Sequence, residues 1–329
     1  MKKILIIQTA FIGDVILATS MIETIRVQYG EEVSLDVLVR KGNEGLLDSH
    51  PYINAVLIWN KKVNKYKNLW AISKQIRKVN YDIVYNLQRF ASTGFLTGRS
   101  KAKLKVGFNA NPFSWLFDHK VEHDLEGSLH EIDRNAALLK VGVNGKEFKT
   151  EPPKLYPTPA NSVKVDGIVA NKRNVLVMAP ASVWFTKQLP REKWIELIRL
   201  KVAKYTIYLI GGATDEVFLQ DMINEIESNQ VINMAGQLNL LESAALIARA
   251  DRTYVNDSAP LHLASAVNAP VTAFFCSTTP SFGFGPLSTD AEIIEIKETL
   301  NCRPCGLHGH KNCPKGHFDC GYKIDVKSI

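Results

Sequence analysis

The run Asn256-Asp257-Ser258-Ala259-Pro260-Leu261-His262 sets a carboxylate, a hydroxyl, a helix-starting proline and an imidazole within a few positions of one another. Thr253-Tyr254-Val255 just before it predicts a buried strand. Asp257 or Ser258 is suited to cap the helix that follows, and Pro260 fits its first turn, where a missing N–H costs nothing. The backbone N–H groups of such a helix start point outward and attract anions, so the segment is expected to form the floor of a phosphate site. An ordinary capped strand-to-helix turn is the plain alternative.

Other residues suggest the rest of a reaction. Gly13 permits a tight backbone and Asp14 stands at the mouth of the first helix, where a carboxylate either caps or takes a proton from an attacking hydroxyl. Ala179-Pro180-Ala181-Ser182 ends a strand and leads to Thr186-Lys187-Gln188-Leu189-Pro190, where a lysine ammonium could neutralise a departing diphosphate. Gly211-Gly212 makes a turn before Glu216, an acid at a helix start placed to meet ribose hydroxyls or to cap.

Positioning these groups calls for strands alternating with helices. Ile4–Gln8, Ser34–Val39, Ala55–Trp59 and Asp82–Asn86 are β-rich runs separated by helical patterns at Val15–Tyr29 and Leu69–Val79. Val175–Met178, Thr206–Ile210, Arg252–Val255 and Val271–Phe275 repeat the pattern, with helices near Arg191–Lys204, Glu216–Glu227 and Leu241–Ala250. The expected class is α/β: two Rossmann-like, doubly wound domains, residues 1–155 and 156–329, facing a central cleft, with the Pro152-to-Pro159 stretch as linker. Neither half carries G-x-G-x-x-G or a Walker loop, which removes the usual warrant for dehydrogenase and P-loop readings. Gln8 breaks the apolar run after Ile7, so the start reads as a buried strand of a cytoplasmic protein rather than a signal peptide.

Charge is unevenly distributed. Residues 60–105 hold twelve basic residues, among them Lys61, Lys62, Lys65 and Lys67, against Asp82 alone. Such a patch favours an acidic partner, and the interleaved Tyr66, Trp70 and Tyr81 suit a membrane surface as well as stacked bases.

In their order along the chain, Ile12–Thr19, His130–Leu139 (HEIDRNAALL), Thr186–Trp194 (TKQLPREKW), Ile210–Glu216 (IGGATDE) and Asn256–Ala266 (NDSAPLHLASA) resemble the ADP-heptose:lipopolysaccharide heptosyltransferases, glycosyltransferase family 9. The tail Cys302-x2-Cys305-x7-Cys313-x6-Cys320 looks most like the heptosyltransferase II type. The resemblance implies a metal-independent, inverting enzyme of the GT-B fold that needs no cofactor and moves heptose from ADP-L-glycero-D-manno-heptose to the phosphorylated inner core of lipopolysaccharide. It implies a cytoplasmic protein peripheral to the inner membrane. By matched position, Asp14 is the base, Ser182 and Lys187 contact the donor phosphates, Glu216 meets ribose and Leu238 adenine. Asp257 matches the heptose-binding acid, and Ser258, Ala259 and His262 the phosphate loop, although Ala259 stands where the family usually has glycine. Phe275-Cys276-Ser277-Thr278-Thr279-Pro280 replaces the usual Phe-Gly-Pro-Thr-Asp-Pro. Lys61, Lys62, Lys65 and Lys67 are the acceptor-side candidates.

The four tail cysteines, with His308, His310 and His317 nearby, give a structural zinc site or reduced structural thiols. Two further readings compete with heptose transfer: a relative using another nucleotide sugar, and a basic nucleic-acid-binding protein with a zinc tail. The second has no need of Asp14, Lys187 and Asp257.

Overall fold

The alternation of strands and helices resolves into two six-stranded sheets, every pairing parallel. The computed structural model describes residues 1–124, 129–142, 147–170 and 172–329. The first sheet holds β1 (Lys2–Ile7), β2 (Val33–Arg40), β3 (Ala55–Trp59), β4 (Ile83–Asn86), β5 (Leu104–Phe108) and β6 (His119–Val121), in the order β3-β2-β1-β4-β5-β6. The second holds β7 (Val175–Ala179), β8 (Thr206–Leu209), β9 (Val231–Asn233), β10 (Arg252–Asn256), β11 (Val271–Phe275) and β12 (Ala291–Glu295), in the order β12-β11-β10-β7-β8-β9. Read from β9, the second order is the first repeated. Each sheet grows outward from its first strand, then reverses between its first and fourth. That reversal, between β1 and β4 and between β7 and β10, opens the crevice at the strand ends where doubly wound sheets bind ligands.

The central strands are buried on both faces, which explains why they read as continuous apolar runs: Ile4, Leu5, Ile6 and Ile7 are all fully enclosed. Edge strands are harder to see in the residue pattern. β6 and β12 carry His119, Lys120, Glu292 and Glu295, charged or polar residues that suit a solvent-facing edge and blur a strand pattern. The crossover helices are α1 (Ile12–Tyr29), α2 (Lys65–Val79), α3 (Ala91–Arg99) and α4 (Glu131–Gly142) in the first unit. The second has α5 (Pro159–Val169), α6 (Arg191–Lys201), α7 (Glu216–Ile226), α8 (Leu240–Arg249), α9 (Ala259–Ala266) and the short α10 (Asp319–Tyr322).

Two compact units comprise Met1–Tyr156 and Pro157–Ile329. The expected linker is shorter than its prolines suggest, because Pro159 is the first residue of α5 and Thr158 caps it, its hydroxyl accepting the Asn161 N–H at 3.1 Å. The cysteine-rich tail is not a loose appendage. Phe318, Cys320, Ile324 and Val326 are buried with Trp194, Ile198 and Phe274 in the second unit's core. At about 1.5–3 kcal/mol for each large apolar side chain buried, that packing anchors the tail firmly. Among the described residues no helix is long and apolar enough to cross a membrane.

Candidate functional site

In the second unit the site is built where β7 and β10 diverge. Asn256, the last residue of β10, is fully buried, and its amide donates to the Ala179 and Pro180 carbonyls at 3.3 and 2.8 Å while its oxygen accepts the Leu189 N–H at 2.9 Å. One side chain thus fixes the ends of both strands and the loop that carries Lys187. Asp257 follows, buried, and Lys187 lies on the short 3₁₀ turn Phe185–Lys187. Their side chains meet: Lys187 Nζ is 2.6 Å from Asp257 Oδ2. The same carboxylate oxygen accepts the Thr278 hydroxyl at 2.6 Å. Two candidates about 70 positions apart in sequence are therefore one ion pair, and a third residue, Thr278, completes it. Thr278 lies in the segment that departs from the usual family pattern; no local signal marks it as a partner of Asp257.

The start of α9 differs from expectation in one respect. Neither Asp257 nor Ser258 caps it: Ser258 occupies the capping position, but its hydroxyl points to the Asn256 carbonyl, at 3.4 Å. Pro260 has no N–H and the Leu261 N–H bonds back to Ser258 O at 3.0 Å, which leaves Ser258 and Ala259 as the residues whose N–H groups open the helix. His262, one turn into α9, is buried with its ring edge-on to Phe284. Ser182 is half-buried, its N–H donating to Gln188 Oε1 at 3.2 Å. Glu216 is the first residue of α7 and exposed; the residue that caps this turn is Asp215, which accepts the Gly212 N–H at 2.8 Å. Leu238 is half-buried just before α8.

In the first unit the corresponding strand ends are those of β1 and β4. Asp14 is the third residue of α1, and its Oδ2 accepts the Phe11 N–H at 3.0 Å, so the capping role does exist. Charge surrounds it. Arg40, at the end of β2, and Glu131, at the start of α4, both feel the Asp14 carboxylate. Glu131 is buried and paired with the equally buried Arg134, Nε to Oε2 at 2.9 Å. Burial pushes the Glu131 carboxyl up to about 7 against the opposing pull of Arg134, and Asp14 adds to the rise. These two residues belong to the HEIDRNAALL stretch, which marks the segment without assigning them roles.

The lysine candidates separate. Lys61 is folded inward, its ammonium donating to Thr9 O at 2.7 Å and Thr9 Oγ1 at 2.9 Å above the Trp59 ring. Burial, then Arg40 and Lys65, push its pKa down to about 8. Lys62, Lys65 and Lys67 are exposed at the start of α2 beside exposed Tyr66 and Trp70. Tyr81 is not part of that surface: it is buried and donates to Asp36 Oδ2 at 2.6 Å, because it opens the turn into β4 beneath α2.

In the tail, Cys302 and Cys313 are partly exposed and Cys320 is buried. Cys302 Sγ is 3.8 Å from His317 Nε2, and burial followed by the neighbouring thiols pushes Cys320 up to about 11. Among the described residues no three His, Cys, Asp or Glu side chains are grouped so as to hold a metal ion.

The family profile of Glycosyltransferase family 9 (heptosyltransferase) matches residues 69–315. Lipopolysaccharide core heptosyltransferase OpsX of Haemophilus influenzae is 26% identical over 285 residues, covering 85% of this chain and 80% of its own. Among solved structures, E. coli ADP-heptose lps heptosyltransferase II superposes with a TM-score of 0.79 at 21% identity, over 93% of this chain and 96% of the other. E. coli heptosyltransferase WaaC with ADP gives 0.73 at 19% identity, over 88% and 92%.

Proposed function

The chain belongs to glycosyltransferase family 9 and has the GT-B fold, and from this we propose that it transfers heptose from ADP-L-glycero-D-manno-heptose to the inner core of lipopolysaccharide, with inversion at the anomeric carbon. The observation that carries the donor half is the Lys187–Asp257–Thr278 cluster beside the start of α9, at the strand-end crevice of the second sheet. Family membership removes the warrant for a nucleic-acid-binding module.

In the proposed reaction an acceptor hydroxyl attacks the anomeric carbon as the bond to the diphosphate oxygen breaks. Asp14 takes the hydroxyl proton. ADP departs with the bonding electrons, and its developing charge meets the Lys187 ammonium and the Ala259 N–H rather than a metal ion. Ser182 contributes a further donor contact, Glu216 and Leu238 hold ribose and adenine, and Asp257 orients the sugar. Ser258 and His262 complete the phosphate loop. The first unit takes the acceptor and the second the donor.

The direct test is ADP release and mass gain of a heptose-deficient inner-core acceptor, with ADP-heptose compared against UDP- and GDP-sugars and with EDTA present. Transfer from another nucleotide sugar at equal or higher kcat/KM would move the assignment to a different donor; abolition by EDTA with restoration by magnesium would remove the metal-free mechanism.

Exposed Lys62, Lys65 and Lys67 are proposed to draw the protein to the anionic face of the inner membrane that carries the acceptor. Such attraction decays over about 8 Å at physiological salt. Reversing the three to glutamate is expected to reduce binding to anionic vesicles and raise the acceptor KM at low salt, with ADP affinity unchanged. Equal vesicle binding by both proteins would leave the patch as a solvated face.

Zinc at Cys302, Cys305, Cys313 and Cys320, as a structural ion that takes no part in transfer, is proposed on their clustering within 19 residues of sequence alone, since the side chains are not grouped as ligands. Metal analysis of the purified protein checks it, with one equivalent expected.

A further inference from the structure

The Lys187 loop and the Thr278 loop are both held by the cysteine-rich tail. Thr186, which precedes Lys187, is almost fully enclosed and bonds to two other segments. Its N–H donates to His310 O at 3.1 Å, and its hydroxyl oxygen accepts the His310 N–H at 2.7 Å. Its carbonyl accepts the Ser277 N–H at 3.1 Å and its hydroxyl lies 3.0 Å from that of Ser277, whose carbonyl in turn accepts the Cys305 N–H at 2.8 Å. Arg303 donates to the Cys276 and Thr278 carbonyls at 2.6 and 2.7 Å. The tail therefore grips both segments whose side chains converge on Asp257.

Gly309 lies against the Lys187 side chain. Its φ is +73°, and a Cβ there would stand 2.8 Å from Lys187 Cγ, 3.1 Å from Thr186 Oγ1 and 3.3 Å from Lys187 Cδ. The lysine stem lies along bare glycine backbone. Cγ is near the root of the side chain, so the displacement would move the whole stem rather than its tip.

We propose that Gly309 is a positioning residue for donor binding: the tail walls in the Lys187 stem and so aims the ammonium at the donor diphosphate. The inference rests on the reading of Lys187 as the diphosphate contact. A lysine stem has many rotamers, and a wall that removes most of them before the ligand arrives lowers the entropy lost on binding. Alanine at 309 would remove the aim while leaving the charge.

A control is built into the same tail. Gly316 has a similar φ of +80°, but a Cβ added there would meet nothing within 4 Å, so Gly316→Ala carries the same backbone strain without touching Lys187. Calorimetry with ADP is expected to show Gly309→Ala binding about tenfold more weakly and Gly316→Ala within about twofold of the parent protein, on the scale of one charge-assisted contact. In a Lys187→Ala background, Gly309→Ala should have no further effect. Equal losses from the two glycine variants, or a loss that persists without Lys187, would overturn the proposal and leave the tail a purely structural element. Unchanged ADP affinity in Lys187→Ala itself would refute the diphosphate role and with it the premise. Should Gly309→Ala not fold, Thr186→Val and Thr186→Ser take its place: valine loses the oxygen that accepts the His310 N–H, serine keeps it, and only valine should weaken ADP binding in a Lys187-dependent way.

Discussion

Asp14→Asn is expected to lower turnover by at least about 100-fold, the usual scale for loss of a general base, while ADP affinity stays within about twofold. The amide oxygen of asparagine can still accept the Phe11 N–H that Asp14 accepts at 3.0 Å. The cap is worth about 1 kcal/mol at most, so the melting temperature should move by no more than about 2–4 °C. A fall in turnover with the fold intact thus separates base from cap. The variant also removes the negative charge that helps raise Glu131 and that favours the charged form of Arg40. Turnover above about a tenth of the parent value would refute the catalytic assignment.

The Lys187–Asp257 pair gives the second large effect, with opposite signs for its two members. Lys187→Ala should weaken ADP binding about tenfold or more and slow transfer, because the leaving diphosphate loses its cation. Asp257→Asn should abolish most transfer yet leave ADP binding equal or tighter. At 2.6 Å the carboxylate already holds the lysine ammonium and would be a like charge beside a diphosphate; removing it releases the cation for the ligand. Truncating one member of a largely buried pair is costly, so Asp257→Asn is also expected to lower stability unless ADP is present. Calorimetry and thermal melts with and without ADP measure both. ADP binding that weakens in Asp257→Asn as much as in Lys187→Ala would mean that the carboxylate contributes to the nucleotide site rather than restraining its lysine.

Much of the architecture is legible from residue order. Ile4 to Ile7 and Val175 to Met178 announce central parallel strands because burial on both faces demands apolar residues at every position. Asp14, Lys187 and Asp257 stand out because each follows such a strand, and the ends of doubly wound strands are where chemistry collects. Periodicity does not reveal β6 or β12, whose charged edges obey solvent rather than core, nor α9, which is enclosed on nearly every side. Asp215 rather than Glu216 as the cap, and Tyr81 in the core rather than on the basic surface, are decided by side-chain direction, which spacing does not encode.

The sequence by itself thus determined the fold class, the strand ends that carry the candidate groups and, through the order of its short motifs, the family. Only the tertiary structure decided which groups touch. The Asp257 carboxylate is shared between Lys187 and Thr278 because β7, β10 and β11 are neighbours in the sheet, whatever their separation in the chain. Gly309 meets the Lys187 stem more than 100 positions away for a related reason: Phe318, Cys320, Ile324 and Val326 bury in the core and hold the preceding tail across the site. Contacts of this kind are set by long-range packing, in which hydrophobic burial fixes the frame and hydrogen bonds choose the register.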